Sequence, residues 1–170
     1  MWVRREGPDD ADGIRTVHIE AFGHGRESSK EAKLVDSLRA SDAWIGELSF
    51  VARFGLGIAG HAVCTRAFVG ERPVLALGPV GVRPKFQGQG IGKALVMTVI
   101  GAADALGEPL IGLLGDPRFY ENFGFEVGAM IHIIPEEVDW LTDFQVRRLH
   151  RYDPAIQGTF TFAAPFDDID

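Results

Sequence analysis

Cys64 is the only cysteine in this chain. No intrachain disulfide can form, and no zinc-ligand spacing exists. Basic residues are also scarce: 17 Lys and Arg stand against 24 Asp and Glu, for a formal charge of -7. A nucleic-acid surface normally needs the opposite balance, so this composition argues against that class of partner. An acidic chain is compatible with cationic amine substrates. Long apolar runs are missing too. The charge-free stretch Ala94 to Ala103 is amphipathic and too short to cross a bilayer. The first residues, Met1-Trp2-Val3-Arg4-Arg5-Glu6, lack the apolar core of a signal peptide. These absences predict a soluble, cytoplasmic protein with no membrane partner and no metal. Repeats, low-complexity tracts and linkers are absent as well. The 170 residues read as one domain, 1–170, long enough to enclose a sizeable core.

Hydropathy patterning predicts alternating strands and helices. Trp2 to Arg5 alternates and suits a first strand. Ile14, Val17 and Ala21 place an apolar face on a helix that ends near Phe22-Gly23, and Ala32, Val35 and Leu38 do the same for a second. Leu48–Phe54 and Ile58–Phe68 form a hairpin around Gly55-Leu56-Gly57. Val74–Leu77 and Val80–Val82 read as the next strand. A long helix follows, with Ile91, Leu95, Val99, Ala103 and Leu106 at helical spacing and Gly107-Glu108-Pro109 as its stop. Leu110–Leu113 is a short apolar strand, and Met130–Ile134 an extended stretch. Phe144–Leu149 and Thr159–Phe162 alternate and read as antiparallel strands joined through Asp153-Pro154.

What the chain does have is glycine at a junction. Gly88, Gly90 and Gly92 occupy every second position where the strand ending at Val82 gives way to the helix beginning near Ile91. A residue without Cβ lets a ligand approach the backbone. The first N–H groups of a helix lack intrahelical acceptors and attract anions such as a pyrophosphate. The junction therefore predicts a phosphate-bearing ligand held mainly by main chain.

Three phosphate loops compete for that role. The ATP-type loop, G-x-x-x-x-G-K-S/T, finds Gly92-Lys93 but has Gln87 for its first glycine and Ala94 for the hydroxyl residue. It fails at two positions. The dinucleotide fingerprint G-x-G-x-x-G has its last glycine one place early and lies in mid-chain instead of opening a βαβ unit. The pattern Gln/Arg-x-x-Gly-x-Gly/Ala is met in full by Gln87, Gly90 and Gly92. It resembles motif A of the GNAT (general-control-type) N-acetyltransferases, and Val82-Arg83-Pro84 is similar to the V-x-P that leads into it. A second segment, Gly115-Asp116-Pro117-Arg118-Phe119-Tyr120-Glu121-Asn122-Phe123-Gly124-Phe125, resembles that family's motif B, one helix and one strand further on. The likeness is to a branch of small, stand-alone bacterial N-acetyltransferases, with residues 74 to 126 carrying most of it.

The resemblance implies an α/β fold with a mixed, mostly antiparallel sheet of about seven strands flanked by about four helices. Strands 4 and 5 would splay apart around acetyl-CoA. Main chain of Val80 and Val82 would hold its pantetheine arm. The Gln87, Gly88, Gln89, Gly90, Ile91, Gly92 and Lys93 segment would hold its pyrophosphate, with Arg83 and Lys85 as further phosphate partners. Tyr120 matches the tyrosine that protonates the departing thiolate. Asn122 would contact the cofactor or cap its short helix, and Asp116-Pro117 reads first as a helix start. Glu20, Glu121, His61 and His18 are general-base candidates by type alone. Cys64 lies in a strand pattern and reads as a core residue, which disfavours a ping-pong mechanism. Phe22, Trp44, Phe50, Phe54 and Phe68 read mostly as core, with Phe22 and Trp44 as candidates for the acceptor wall.

The leading expectation is direct acetyl transfer from acetyl-CoA to a primary amine of a small molecule or peptide. The alternative is a catalytically silent acyl-CoA-binding regulatory module. Edge strands near the C-terminus would suit a homodimer.

Overall fold

Burial along β2 (Trp44–Phe54) and β3 (Gly57–Val69) is continuous where a half-exposed strand would alternate, because helices cover both faces. Leu48, Phe50 and Ala52 face the core beneath α3 (Ile91–Ala105). Val51, one residue out of step, joins Ile14 and Val35 on the opposite face. Those two come from α1 (Ala11–Phe22) and α2 (Lys30–Arg39).

The structure, a computed structural model, describes residues 1–169. The remaining elements are β1 (Trp2–Arg5), β4 (Arg72–Val82), β5 (Leu110–Leu114), α4 (Pro117–Tyr120), β6 (Glu126–Val127), β7 (Ile133–Pro135), β8 (Phe144–Arg148) and β9 (Gly158–Thr161). Among the described residues the sheet has nine strands, in the order β1-β2-β3-β4-β5-β8-β6, while β9 pairs with β3 and β7. Its pairings are antiparallel except β4–β5 and β7–β9. This is the mixed, mostly antiparallel α/β sheet expected, with two strands more than anticipated.

Local chemistry explains the helix ends. Ser29 Oγ accepts from Ala32 N at 3.0 Å and donates to the His18 carbonyl at 3.0 Å, so it starts α2 and ties it to α1. Helix α3 stops where Gly107, with φ +78°, lets Gly107 N reach Asp104 O and Glu108 N reach Ala103 O. Ile91, Leu95, Val96 and Val99 are buried beneath the sheet, and each contributes roughly 1.5–3 kcal/mol of burial.

Long-range pairing departs from the sequence pattern. β8 and β9 are not partners. β8 is flanked by β5 on one edge and β6 on the other, so neither edge is free. β9 takes the stretch of β3 at Phe68–Val69, beyond the point where β2 begins opposite Thr65. Met130 belongs to a 3-10 turn, Gly128–Ile131, and only Ile133–Pro135 is strand. Leu106 caps α3 and is exposed.

Candidate active site

β4 and β5 are paired only at Leu75–Ile111 and Ala76–Gly112. Beyond that point they diverge, and one edge of β4 is left open. Arg83 N donates to Ala59 O at 2.9 Å, and His61 lies opposite Gly81. Alternation then turns the main-chain groups of Val80 and Val82 away from β3, toward the gap. Opposite Ala62 and Cys64 of β3, β4 carries one extra residue between Leu77 and Val80, a bulge at Gly78-Pro79. Gly78 has φ +141° there, a conformation only glycine holds without strain.

The strand leaves the sheet through a 3-10 turn, Pro84–Phe86, and enters α3 through Gly88 (φ +75°) and Gly90 (φ +80°). The first intrahelical bond runs from Ala94 N to Gly90 O at 3.0 Å. The amides of Ile91, Gly92 and Lys93 thus have no acceptor within the helix. They border a cavity of about 510 Å3 that also touches Val80, Val82, Gln87, Gly88 and Gly90. Gln87 Nε2 donates to Val82 O at 3.0 Å, which joins loop to strand edge. Gln89 is exposed and does not line the cavity.

From the other side comes α4. Asp116 caps it by accepting from Arg118 N at 2.9 Å, with Pro117 at the first helical position. The ring of Tyr120 packs edge-on against Phe119 (4.9 Å between centroids) and Phe125 (5.6 Å). Burial pushes the Tyr120 phenol up to about 12. A Cβ on Gly115 would lie 2.6 Å from Tyr120 Cε2, so that glycine makes room for the ring. Asn122 is exposed, and its Nδ2 donates to the carbonyls of Arg118 (2.9 Å) and Phe119 (3.1 Å).

A second cavity of about 400 Å3 lies on the α2 side, lined by Glu31, Leu34, Trp140, Phe162 and Phe166 among others. Both cavities share Phe22, Val80 and Tyr120. They therefore meet beside the open strand edge and the phenol.

The candidate bases are placed as follows. Glu20 accepts from Arg83 Nε (2.7 Å) and Nη2 (2.9 Å), which engages both an expected base and an expected phosphate partner. Lys85 stacks over Phe86 at 5.0 Å. Glu121 is exposed on a 3-10 turn. His18 and His61 are fully buried and line neither cavity. Cys64 is buried, and desolvation raises its thiol far above the usual range.

Residues 46–127 match the acetyltransferase (GNAT) domain. An Escherichia coli K12 protein described as uncharacterized N-acetyltransferase YhbS is 32% identical over 161 residues, covering 93% of this chain and 92% of that one. The chain belongs to the GNAT acetyltransferase family. Another E. coli K12 member, the uncharacterized N-acetyltransferase YjhQ, is 39% identical over 121 residues, and the match spans 65% of its length. Among solved GNAT structures, E. coli YhbS in complex with CoA superposes with a TM-score of 0.90 at 29% identity, covering 99% of this chain and 93% of that one. A Brucella melitensis GNAT acetyltransferase in complex with acetyl-CoA gives 0.78 at 32% identity, covering 98% and 97%.

In this GNAT chain the lining of the cavity beside α2 differs from the wall expected from the sequence. Phe22 lines both cavities, but Trp44 does not. It packs beside the Ile14–Val35–Val51 cluster, under the Arg39 guanidinium at 4.8 Å. Phe54 and Phe68 are 43% and 42% exposed, not core. Glu31, Trp140, Phe162 and Phe166 were not anticipated. They come from four separate segments, and only the crowding of aromatics near the C-terminus hinted at a wall there.

Proposed function

We propose that the protein is an N-acetyltransferase that moves the acetyl group of acetyl-CoA directly to a primary amine. The observation that carries this reading is the junction of the two cavities at Val80 and Tyr120. One cavity runs to unpaired helix amides suited to a diphosphate. The other ends in an apolar wall with one carboxylate.

The residues present fit the donor. An open strand edge accepts an extended arm by main-chain pairing, which assigns Val80 and Val82 to the pantetheine. Gln87, Gly88, Gly90, Ile91, Gly92 and Lys93 surround the diphosphate site, and Gln89 contributes main chain at most. Asn122 is assigned to helix capping, because its amide hydrogens already have acceptors. Acetyl-CoA supplies the acetyl group as a thioester, so the free-base amine forms a C–N bond as the C–S bond breaks, and the proton shed by the nitrogen leaves to solvent.

Two tasks then fall to this chain. A main-chain N–H on the open β4 edge stabilises negative charge as it develops on the thioester oxygen. Tyr120 hands its proton to the departing thiolate. A phenol held near 12 stays protonated at neutral pH, which a proton donor requires. Buried Cys64, held as a neutral thiol, is a poor nucleophile, and this supports direct transfer over an acyl-cysteine route.

A thiol-release assay with acetyl-CoA and a panel of primary amines tests the reading. Amine-dependent release of free CoA is expected. Tight acetyl-CoA binding with no release against any amine would instead leave a regulatory binding module.

A further inference from the structure

The cavity beside α2 has an unusual charge content. Among the described residues that line it, only Glu31 and Tyr120 can ionise, and none is Lys, Arg or His. Glu6, Glu20 and Asp36 have arginine partners: Arg39 at 2.7 Å, Arg83 at 2.7 Å and Arg15 at 3.0 Å. Glu31 has no side-chain hydrogen bond or ion pair among the described residues, although it is partly buried. Around it stand Phe22, Trp140, Phe162 and Phe166, with Leu34 beside it on α2. The C-terminal turn Ala164–Ile169, which brings Phe166, packs against α2 and closes that side with the chain's own residues.

We propose that the acceptor is a small monoamine with an aromatic or apolar body, and that Glu31 recognises its ammonium group on entry, before the nitrogen gives a proton to solvent and attacks as the free base. The proposal rests on the acetyltransferase reading above and names the acceptor class for that same site. One carboxylate balances one positive charge. A polyamine would carry further charges into an apolar wall that offers them nothing, and burying an unpaired charge is costly. A free amino acid would bring a carboxylate into a cavity that already holds Glu31 and has no cation. The aromatic wall rewards a flat or apolar body, and about 400 Å3 falls in the range of small-molecule clefts, roughly 300–1,000 Å3. The helix-start position of Glu31 also suits a carboxylate on dipole grounds. Glu31→Gln keeps the shape and the helix start while it removes the charge that pairs the amine.

Calorimetric titration of CoA-loaded protein with 2-phenylethylamine, phenylalanine, spermidine and a short peptide with an apolar N-terminal residue tests the proposal without relying on turnover. Phenylethylamine is expected to bind at least tenfold tighter than the other three. Glu31→Gln is expected to weaken it at least tenfold and to leave CoA affinity unchanged, with Glu31→Asp in between. Phenylethylamine binding no tighter than phenylalanine, spermidine or the peptide would overturn the proposal, and so would unchanged affinity in Glu31→Gln. The donor reading would survive either result, because CoA binding is read separately in the same titration.

Discussion

His18 Nε2 lies 2.8 Å from His61 Nδ1, and the direction of that hydrogen bond is set at Glu6. A carboxylate only accepts, so Ser49 Oγ must donate to Glu6. Ser49 then accepts from His61 Nε2 at 2.8 Å. His61 Nδ1 therefore accepts from His18 Nε2, and His18 Nδ1 is left as a bare, buried lone pair with no partner among the described residues. Both rings are held neutral. Burial, with a contribution from Arg39, lowers His18 from 6.5 to about 4. Burial first, then His18 and Arg39, hold His61 well below the usual range.

This pair makes stability depend on pH. Between about 4 and 6.5 the unfolded chain binds a proton at position 18 that the folded chain refuses. Stability is therefore full above 6.5 and falls as pH drops through that window, by roughly 1.4 kcal/mol for each pH unit crossed. His61 steepens the loss. Urea unfolding should show a midpoint clearly lower at pH 5 than at pH 7.5. A flat midpoint between those values would mean that the two rings are not held neutral by the fold.

The bare nitrogen of His18 rests against Gly81. A Cβ there would meet His18 Nδ1 at 2.9 Å, His18 Cε1 at 3.1 Å and Phe22 Cε2 at 3.3 Å. Gly81→Ala should therefore overpack the contact between α1 and β4, at a cost of about 1–3 kcal/mol. Phe22 and the open edge beside Val80 would shift with it, so acetyl-CoA affinity should fall along with the melting temperature. Unchanged melting and affinity would show that α1 yields freely at this point.

Tyr120→Phe keeps the packing against Phe119 and Phe125 and removes only the hydroxyl. Turnover is expected to fall roughly 100-fold, with acetyl-CoA affinity changed far less. Gly115→Ala should also lower turnover, because its new Cβ displaces the ring. Normal turnover in Tyr120→Phe across the full pH range would remove this residue from the mechanism.

Gly90→Asp isolates charge at the α3 terminus. Gly90 sits at φ +80°, and a Cβ at this position would meet nothing within 4 Å. Asp is among the residues that best tolerate a left-handed backbone. The variant should fold, yet bind acetyl-CoA at least tenfold more weakly, or about 1.4 kcal/mol. Equal affinity would move the diphosphate elsewhere.

The glycine junction and the short helix were legible in the sequence because their determinants are local. The positive φ at Gly88 and Gly90, the Asp116 cap and the Pro117 helix start each follow from a few adjacent residues. The cavity beside α2 was not, since Glu31, Trp140, Phe162 and Phe166 converge only through tertiary packing. Strand partners failed for a related reason. The alternation of Phe144–Arg148 and Gly158–Thr161 identifies strands, but it carries no record of which edges β5, β6 and β3 leave open. His18 and His61 looked like candidate bases by type. Their burial inside the Glu6–Ser49 chain gives them a structural setting that residue type alone does not convey.

The amides at the start of α3 and the open edge of β4 are proposed to hold a CoA thioester. Titration calorimetry of the folded protein with acetyl-CoA reads that contact. Saturable binding of one molecule per chain is expected, weakened by Gly90→Asp. No heat of binding with any acyl-CoA, in a sample shown to be folded, would contradict it.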